Sequence, residues 1–411
     1  MESIKCTFWV VVFSILAINL NAQWSLQHSG TTENLTNVFF IDNNTGWIVG
    51  ENGILLKTLD GGDSWGQLAS GTTKLLNKVK FFNKNEGYIA GESTLLFTSD
   101  GGNNWSSAQS DGKVYFIDMN KGWMVTQGVD IEYTIKVFRT NDGGSNWVDV
   151  LDETYSAEEY GRNIDIFGVD NKIWVFGSYM YQGDYGGSIL KFSSDGESFS
   201  NISIPEFNWD QYVSNVFYVN ENSGWLINGV TGTGSSLSAL YNSLNGGANW
   251  GEIVSHESNE GVFSSIFYIS DTEGWVSLGD KIYHDVSQGE PDLDYTANSI
   301  ISKFFFVESN LGWAIGESGA ILHYSVETEL STQLNFSKNI NIYPNPANNE
   351  LNVIGNVKYA EISFYSIDGK LILNSNLTGG SIDISELATG IFLLKINTEG
   401  QGSIIKRFVK N

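Results

Sequence analysis

The sequence has 411 residues, a formal net charge of −25 and 13% aromatic residues, with 45 glycines and 4 prolines. A chain of this length fits one large domain plus a small one, and this composition is typical of many short strands joined by tight turns rather than of a helical bundle. So acidic a surface disfavours nucleic acid and anionic membranes as partners and suits solubility, Ca²⁺, or a neutral or cationic ligand.

The first 22 residues have the organisation of a secretory signal peptide. Lys5 supplies a positive charge, residues 8–18 form a short apolar run, and residues 20–22 end in alanine at a site suited to cleavage. The run is too short for a comfortable membrane span, and nothing later in the sequence is long and apolar enough to predict a transmembrane segment. We therefore expect Gln23 to begin the mature chain. Cys6, the single cysteine, lies inside this segment, which predicts no disulfide and no cysteine-based metal site in the mature protein.

Seven copies of one pattern follow, at spacings of 35–51 residues. Each copy has an aromatic-rich strand, a polar turn, an aromatic residue and a second apolar strand, as in VFFIDNNTGWIVG and IFYISDTEGWVSLG. A repeat of this length that holds several strands is typical of a β-propeller blade. We name the four strands of each blade A to D in chain order, with strand A the aromatic-rich one. The aromatic residues that begin strand B are Trp47, Tyr88, Trp123, Trp174, Trp225, Trp275 and Trp313.

A second motif joins strands C and D in most copies, as in TLDGGDSW and TSDGGNNW. The side chain of its third residue can accept hydrogen bonds from backbone N–H groups of the turn, and the two glycines tolerate positive φ. We predict that these residues are structural turn staples rather than catalytic acids. They are Asp60, Asp100, Asp142, Asp195 and Asn245; blade six has no recognisable motif at residues 284–289.

The seventh copy ends without a strand D, and the missing strand is predicted at the other end of the chain. The segment QWSLQHSG, which begins at Gln23, is similar to the WGQLASGTT segment that begins at Trp65. We expect residues 24–28 to pair with residues 321–324, which would close one seven-bladed β-propeller over residues 23–325 and remove its open edges.

These motifs resemble known families. The C–D turns are similar to the Asp-box of sialidases and related BNR repeats, and the fuller repeat resembles the photosystem II assembly-factor family of propellers. That resemblance implies a scaffold that grips a protein partner. A photosynthetic role is not implied, because a secretion tag follows.

Residues 340–411 resemble the type A C-terminal sorting domain of the type IX secretion system. The matching segments include YPNPANNELNV and IDISELATGIFLLKI, and the alternating pattern predicts a small antiparallel β-sandwich. The resemblance implies contact with the type IX machinery, and a protein that is secreted or held at the outer-membrane surface. Residues 326–339 are polar and predicted to be a linker. The candidate sorting residues are Tyr343, Pro344, Asn345, Pro346, Gly369 and Gly390.

The sequence offers little support for catalysis, so we predict no catalytic residues, no cofactor and no metal. A sialidase would need a clamp of three arginines, and the propeller has two, Arg139 and Arg162. The histidines have no metal-binding spacing, and the A–B turns at residues 42–46 and 271–274 fit ordinary Asx turns better than calcium loops. A glycan-active hydrolase or lyase that uses acidic residues stays open as the alternative.

Insertions point to one face as a binding surface. The B–C connections of blades three to five and several D–A connections are long, and both kinds emerge on the same face of a propeller. They carry aromatic residues interleaved with carboxylates, which suit the binding of an extracellular protein or glycan; a purely structural surface-layer or adhesion role is the third hypothesis. The ligand-binding candidates are Tyr133, Tyr155, Tyr160, Tyr179, Tyr181, Tyr185, Trp209 and Tyr212.

Overall fold

A computed structural model describes residues 21–108, 110–127, 134–154, 159–169, 171–181, 184–205, 212–231, 236–258, 262–287, 289–327, 341–354, 359–366, 370–378, 380–398 and 402–411. The chain forms two compact units. One spans Trp24–Ser325, and the other contains the strands that follow Val326. Two one-turn 3₁₀ helices, Glu51–Gly53 and Glu317–Gly319, occur among strands that make up the rest of the regular structure described.

The first unit consists of seven four-stranded antiparallel sheets, one for each repeat. In blades one to six the sheet order follows the chain from A to D. Blade one contains β2 (Leu35–Phe40), β3 (Gly46–Gly50), β4 (Leu55–Thr58) and β5 (Gly66–Gln67). Blade two contains β6 (Leu76–Phe81), β7 (Gly87–Gly91), β8 (Thr94–Thr98) and β9 (Ser106–Ala108). Blade three contains β10 (Lys113–Phe116), β11 (Gly122–Gln127), β12 (Thr134–Thr140) and β13 (Val148–Thr154).

Blades four to six repeat this arrangement with longer strands in two of them. Blade four contains β14 (Glu159–Val169), β15 (Lys172–Tyr181), β16 (Asp184–Ser193) and β17 (Ser200–Asn201). Blade five contains β18 (Tyr212–Tyr218), β19 (Gly224–Thr231), β20 (Ser236–Ser243) and β21 (Gly251–Ser258). Blade six contains β22 (Phe263–Tyr268), β23 (Gly274–Leu278), β24 (Lys281–Asp285) and β25 (Asp292–Thr296).

Blade seven is built from both ends of the propeller sequence. It contains β26 (Ile301–Glu308), β27 (Leu311–Gly316), β28 (Ile321–Glu327) and the first strand of the chain, β1 (Asn21–Gln27). The sheet order is β1-β28-β27-β26, so the N-terminal strand occupies the outer position. Trp24 packs on Tyr324 with ring centroids 5.0 Å apart, and Ser25 Oγ donates to the carbonyl oxygen of His323. The predicted closure of a seven-bladed ring by the N-terminal strand is confirmed.

Stacked aromatic rings join neighbouring blades. At most junctions the strand-B aromatic of one blade packs on the last aromatic of strand A in the next blade, as Trp47 does, flat on Phe81, at a centroid separation of 3.5 Å. Trp313 makes the same stack on Phe40 across the closure, at 3.4 Å. Tyr88 packs on Phe116 with the two rings tilted by 58°. The tryptophan that follows a C–D turn then packs edge-on to the strand-A ring of its own blade, as Trp65 does on Phe40. These contacts bury large rings at every turn of the repeat and explain its aromatic content.

The glycine before the strand-B aromatic is required by this packing. A Cβ atom on Gly46 would lie 2.5 Å from the ring of Phe40, because that ring folds over the paired glycine. Gly274 lies in the same way under Tyr268, and Gly312 under Phe306. The Gly-aromatic pair is therefore one packing unit: the glycine makes room for the ring on which the preceding blade stacks.

The second unit is a small antiparallel sandwich, as predicted. One sheet has the order β29-β30-β33, and the other β32-β31-β34-β35. Leu351 and Ile382 of the first sheet share a core with Phe364, Leu394 and Phe408 of the second. The strands are β29 (Asn341–Tyr343), β30 (Glu350–Ile354), β31 (Tyr359–Ser366), β32 (Leu371–Thr378), β33 (Ser381–Asp383), β34 (Gly390–Thr398) and β35 (Gly402–Lys410).

Candidate functional site

The propeller has two chemically different faces. A–B and C–D turns meet at one end of each blade, where Gly61 N–H donates to the Asn44 carbonyl and Gly101 N–H donates to that of Asn85. B–C and D–A connections meet at the other end, where Glu51 N–H donates to the Asn34 carbonyl. We call the first end the turn face and the second the rim face.

Side-chain hydrogen bonds close the turns of the turn face. Asp100 accepts hydrogen bonds from Thr98 Oγ1 at 2.9 Å, from Asn104 N–H at 2.9 Å and from the Asn104 side-chain amide at 2.7 Å. Hydrogen bonds from Asn104 lower the pKa of Asp100 to about 2. The same acceptor positions are occupied by Asp60, Asp142, Asp195 and Asn245 in their own turns. The A–B turn of blade one is also an Asx turn, since Asp42 accepts from the backbone N–H groups of Asn44 and Thr45.

These turns also bond to neighbouring blades. Trp47 Nε1 donates to the Gly101 carbonyl at 3.2 Å, and Trp313 Nε1 donates to that of Gly61 at 3.2 Å. An ion pair of 2.7 Å joins Lys84 to Asp42 across blades one and two, and hydrogen bonding to Lys84 lowers the pKa of Asp42 to about 2. The polar groups of the turn face are thus largely engaged in holding the ring together.

Blade six departs from the motif and replaces it with a buried carboxylate. Asp285 pairs with Gly274, the register position of the turn threonine Thr58 in blade one. Its side chain accepts from Tyr268 Oη at 2.9 Å and from Ser287 N–H at 3.0 Å. Blade six therefore lacks the sequence motif, and Asp285 accepts the hydrogen bonds at the start of its turn instead.

Strand extension makes the rim face uneven. Strand B ends three residues after its aromatic in blades one, two, six and seven, but at Gln127, Tyr181 and Thr231 in blades three, four and five. In blade four β15 and β16 pair from Ile173↔Ser193 to Tyr181↔Asp184. Residues 179–181 and 184–187, which fall in the long B–C connection expected for blade four, therefore belong to strands β15 and β16 of a hairpin. The four extra residues of β15 correspond to roughly 13 Å of additional strand.

The eight predicted ligand-binding aromatics stay a prediction. Tyr160, Tyr179, Tyr181, Tyr185 and Tyr212 belong to strands β14, β15, β16 and β18 near the rim face, and their side chains lie outside the described part of the structure. Tyr133, Tyr155 and Trp209 lie outside the described residues altogether.

A cavity of about 360 Å³ opens where blades two, three and four meet. Glu92 and Ser93 come from the B–C turn of blade two, and Asp111 and Lys113 from the entry to strand A of blade three. Because these segments are B–C and D–A connections, the cavity belongs to the rim face. Its lining mixes both signs of charge.

A ring of polar side chains lies on the innermost strands, at one register position of each blade. This position pairs with the second residue after the strand-B aromatic, as Lys78 pairs with Ala90 and Lys303 with Ile315. Three lysines and one aspartate occupy it in a chain whose net charge is −25. We call it the polar ring; its members are Asn37, Lys78, Lys113, Asp165, Asn215, Ser265 and Lys303.

Contacts across the central channel show that these residues face one another. Lys78 Nζ donates to the carbonyls of Val114 at 3.0 Å and Ile166 at 2.9 Å, and lies 3.7 Å from the carboxylate of Asp165. The strands concerned belong to blades two, three and four. Burial lowers the pKa of Lys78 and of Lys303, and Asp165 partly opposes both shifts.

A circle of mainly aromatic residues, which we call the aromatic layer, lies beside the polar ring. Its members are two residues further along each strand A and nearer the turn face. Phe39 packs on Phe305 at 5.1 Å between centroids, and Phe217 packs on Phe267 at 5.2 Å. In blade two the position is Lys80, whose ammonium lies 4.1 Å from the ring centroid of Tyr115. The channel therefore changes from a cationic lining to an aromatic one along its axis.

The histidines are dispersed over the propeller. His284 stacks on Trp275 at 4.4 Å and His323 on Trp313 at 5.2 Å, while His28 lines a separate cavity of about 310 Å³ beside blades six and seven. Burial lowers the pKa of His323. Among the residues that the structure describes, no group of three or more His, Cys, Asp or Glu side chains could hold a metal ion. No helix within the described ranges is long and apolar enough to span a membrane.

In the second unit, Asn345 links the candidate sorting motif to the last strand. Its side-chain oxygen accepts from Val409 N–H at 2.9 Å, and its amide donates to the Arg407 carbonyl at 3.3 Å. Residues 343–346 are otherwise exposed. Gly390 begins β34, and Gly369 lies outside the described residues.

Comparisons with known structures agree with the propeller architecture. A structure of YCF48 bound to D1 peptide is 23% identical with a TM-score of 0.56, over 74% of this chain and 95% of that one. YCF48 from Cyanidioschyzon merolae is 18% identical with a TM-score of 0.53, over 74% and 98%. A GH74 xyloglucanase from Xanthomonas campestris is 11% identical with a TM-score of 0.51, over 74% of this chain and 53% of the enzyme. These likenesses show the fold. No curated protein sequence matches the chain.

Two family descriptions match the sequence. Residues 341–411 match the secretion system C-terminal sorting domain, which indicates export by the type IX system to the cell surface or beyond. Residues 16–325 match the photosynthesis system II assembly factor YCF48. Since this second match covers well over half of the chain, the protein belongs to the YCF48 assembly-factor family of propellers and carries a secretion system sorting domain at its C-terminus.

Proposed function

We propose that the protein is an exported binding protein whose rim face holds an extracellular polypeptide. In this proposal residues 1–22 are a signal peptide and residues 326–339 a linker. The sorting domain directs export, after which it is removed or attaches the propeller to the cell surface. The propeller is the functional part.

The observation that carries the proposal is the confinement of strand extension to one face. Blades three, four and five carry longer B–C hairpins, whereas the C–D turns at the opposite face keep nearly the same length in the blades that have the motif. Segments that grow on a rigid scaffold are the usual carriers of binding function. Three of the candidate aromatics, Tyr179, Tyr181 and Tyr185, belong to strands β15 and β16, and aromatic anchors there would give affinity to an interface.

Two further points favour a polypeptide over a glycan. A related propeller of the same family was solved with a peptide bound. The sequence of the blade-four hairpin also contains aromatic and acidic residues, and the chain as a whole is strongly acidic. A neutral or cationic segment fits such a surface better than an acidic one.

The test is a binding assay with labelled unstructured peptides of graded charge, read by fluorescence anisotropy. We expect saturable binding that favours basic over acidic peptides. We also expect the Tyr181→Ala, Trp209→Ala double variant to weaken it at least about tenfold. Leu59→Ala is the matched control, because Leu59 is an exposed apolar residue on the turn face. Binding that is lost equally in the control, or absent for every peptide, would contradict the proposal.

The hydrolase or lyase alternative is tested on the same preparations. Its structural basis is the pair of carboxylates, Glu92 and Asp111, in the rim-face cavity. Incubation with xyloglucan and acidic polysaccharides should release no reducing ends or unsaturated products if the protein is a binding propeller. Release that is abolished by Glu92→Gln or Asp111→Asn would replace our proposal with the enzymatic one.

A further inference from the structure

We propose that the polar ring of the central channel is a binding site for the carboxylate of a small organic anion. This inference goes beyond the proposed function, because it concerns a different part of the propeller and needs no polypeptide partner. It rests on the charge of the ring, on the unequal partnering of its lysines, and on the surfaces at either side of it.

The charge of the ring is opposite to that of the chain. Three ammonium groups and one carboxylate meet in a protein with 47 acidic and 22 basic residues. Packing like charges on facing strands is unfavourable unless a counter-charge lies between them. Asp165 supplies one negative charge, which leaves a net excess of two positive charges in the ring.

Two of the lysines have different surroundings. Lys78 is fully engaged, since its ammonium donates to two carbonyls and approaches Asp165. Lys303 makes no hydrogen bond to any residue that the structure describes, although it lies within the field of both Lys78 and Asp165. Partial burial lowers the pKa of Lys303, so its ammonium is less well hydrated than that of an exposed lysine. A bound anion would supply a hydrogen-bond acceptor and offset the repulsion from Lys78.

The neighbouring surfaces favour a carboxylate on a carbon body over an inorganic dianion. The aromatic layer, which includes Phe39, Phe267 and Phe305, lies next to the polar ring on the side of the turn face and offers apolar contact. Asp165 would repel a second negative charge on the ligand more than a single one. On the rim side, Lys113 is exposed and also lines the 360 Å³ cavity, which gives the ring a connection to the rim face.

The experiment measures thermal unfolding of the full chain in acetate, in inorganic phosphate and in chloride at constant ionic strength. A ligand that binds the folded state alone stabilises it, and millimolar affinity at 50 mM ligand corresponds to a rise in Tm of about 5 °C. We expect acetate to give a rise of this order relative to chloride, and phosphate a smaller one. Lys303→Met should remove most of the acetate effect.

Two further variants separate site binding from general salt effects. Asp165→Asn should enlarge the acetate-induced rise, because it removes the negative charge from the ring while keeping a similar shape. Lys84→Met makes the same charge change as Lys303→Met but on the turn face, and should leave the acetate effect unchanged. No rise in the wild type, a rise retained in Lys303→Met, or a rise for phosphate that exceeds that for acetate would overturn the proposal. If Lys303→Met does not fold, the opposite sign expected for Asp165→Asn decides the matter.

Discussion

Blades one, two and seven differ from blades three, four and five in length but much less in construction. Both groups have the same sheet order and, in five of the six blades, a buried ring on strand A that receives an aromatic from the preceding blade. The short group ends its B strands three residues after the aromatic, whereas the long group continues for four to seven. The comparison shows that contacts near the turn face hold the seven blades in a closed circle. The rim face can therefore vary without changing how the propeller closes.

One junction inside the long group also lacks the shared aromatic stack. Blade four has Gly168 where the other blades have an aromatic at the end of strand A, so Trp123 has no flat partner there. Trp123 keeps the hydrogen bond that Trp47 and Trp313 also make to a turn carbonyl, since its Nε1 donates to the Gly196 carbonyl at 2.7 Å. The two regions therefore differ in how strongly neighbouring blades are joined as well as in what they present at the rim.

The largest expected effect comes from removing a stacked tryptophan. Trp47 is fully buried, stacks on Phe81 and donates to the Gly101 carbonyl. Trp47→Ala should lower the free energy of unfolding by about 3–5 kcal/mol. Trp123→Ala should cost about 0.5–1.5 kcal/mol less, because that residue lacks the stacking term. Equilibrium denaturation measures both, and equal losses would contradict the distinction between the two junctions.

A smaller effect is expected from filling the space under a strand-A ring. Gly46→Ala places a Cβ atom 2.5 Å from the ring of Phe40, which must shift and so disturb its stack on Trp313. Overpacking of this kind should cost about 1–3 kcal/mol. Gly66→Ala is the control, since the nearest atom to its new Cβ is 3.9 Å away. A control that is as destabilised as Gly46→Ala would remove packing as the explanation.

A pH-dependent effect should follow from the turn aspartates. Hydrogen bonds from Asn104 lower the pKa of Asp100 in the folded protein to about 2, below the usual range of an aspartate. A depressed pKa means that the ionised carboxylate stabilises the fold above pH about 4 and that this contribution is lost as the pH falls towards about 2. Asp100→Asn should therefore be less stable than the wild type at neutral pH, with a difference that shrinks over this acid range.

Blade five provides the reciprocal experiment. Asn245 already occupies the staple position there and accepts from Asn249 N–H at 2.9 Å. Asn245→Asp should add a stabilisation that depends on pH in the same window. Urea unfolding between pH 2 and pH 7 measures both variants, and differences that do not change with pH would show that the charge is not what closes the turn.

The closed seven-bladed propeller was predictable from the sequence because the residues that determine it are local and repeated. Each blade shows the aromatic, the glycine and the turn motif within a short window, and the missing strand D of the seventh copy indicated where the N-terminal strand belongs. The hairpin extensions were not predictable in the same way. The segment of blade four around Gly183 to Gly187 is rich in glycine and lacks an apolar–polar alternation, yet pairing with its neighbour makes part of it strand.

The polar ring was missed for a different reason. Lys78, Asp165 and Lys303 lie far apart in sequence, and each is one of several polar residues in a strand whose alternation looks ordinary. A signal was nevertheless present. When the seven A strands are aligned on their strand-B aromatics, six blades have a polar residue ten positions before the aromatic, and in blade four Asp165 lies nine positions before it. Such a position is informative in a propeller because the innermost strands of all blades meet at the axis.

The smallest expected change in stability tests whether the rim-face hairpins contribute to the stability of the closed propeller. Replacing the tip of the blade-four hairpin, residues 180–185, by a two-residue Asn-Gly turn shortens β15 and β16 towards the length of β3 and β4. The stacked aromatics and the turn staples stay in place, so we expect the free energy of unfolding to change by no more than about 0.5–1 kcal/mol. Peptide binding should be lost, because Tyr181 and Tyr185 are removed with the tip. A loss of several kcal/mol would mean that the extension is part of the architecture of the ring. Retained stability together with retained binding would place the ligand elsewhere on the rim.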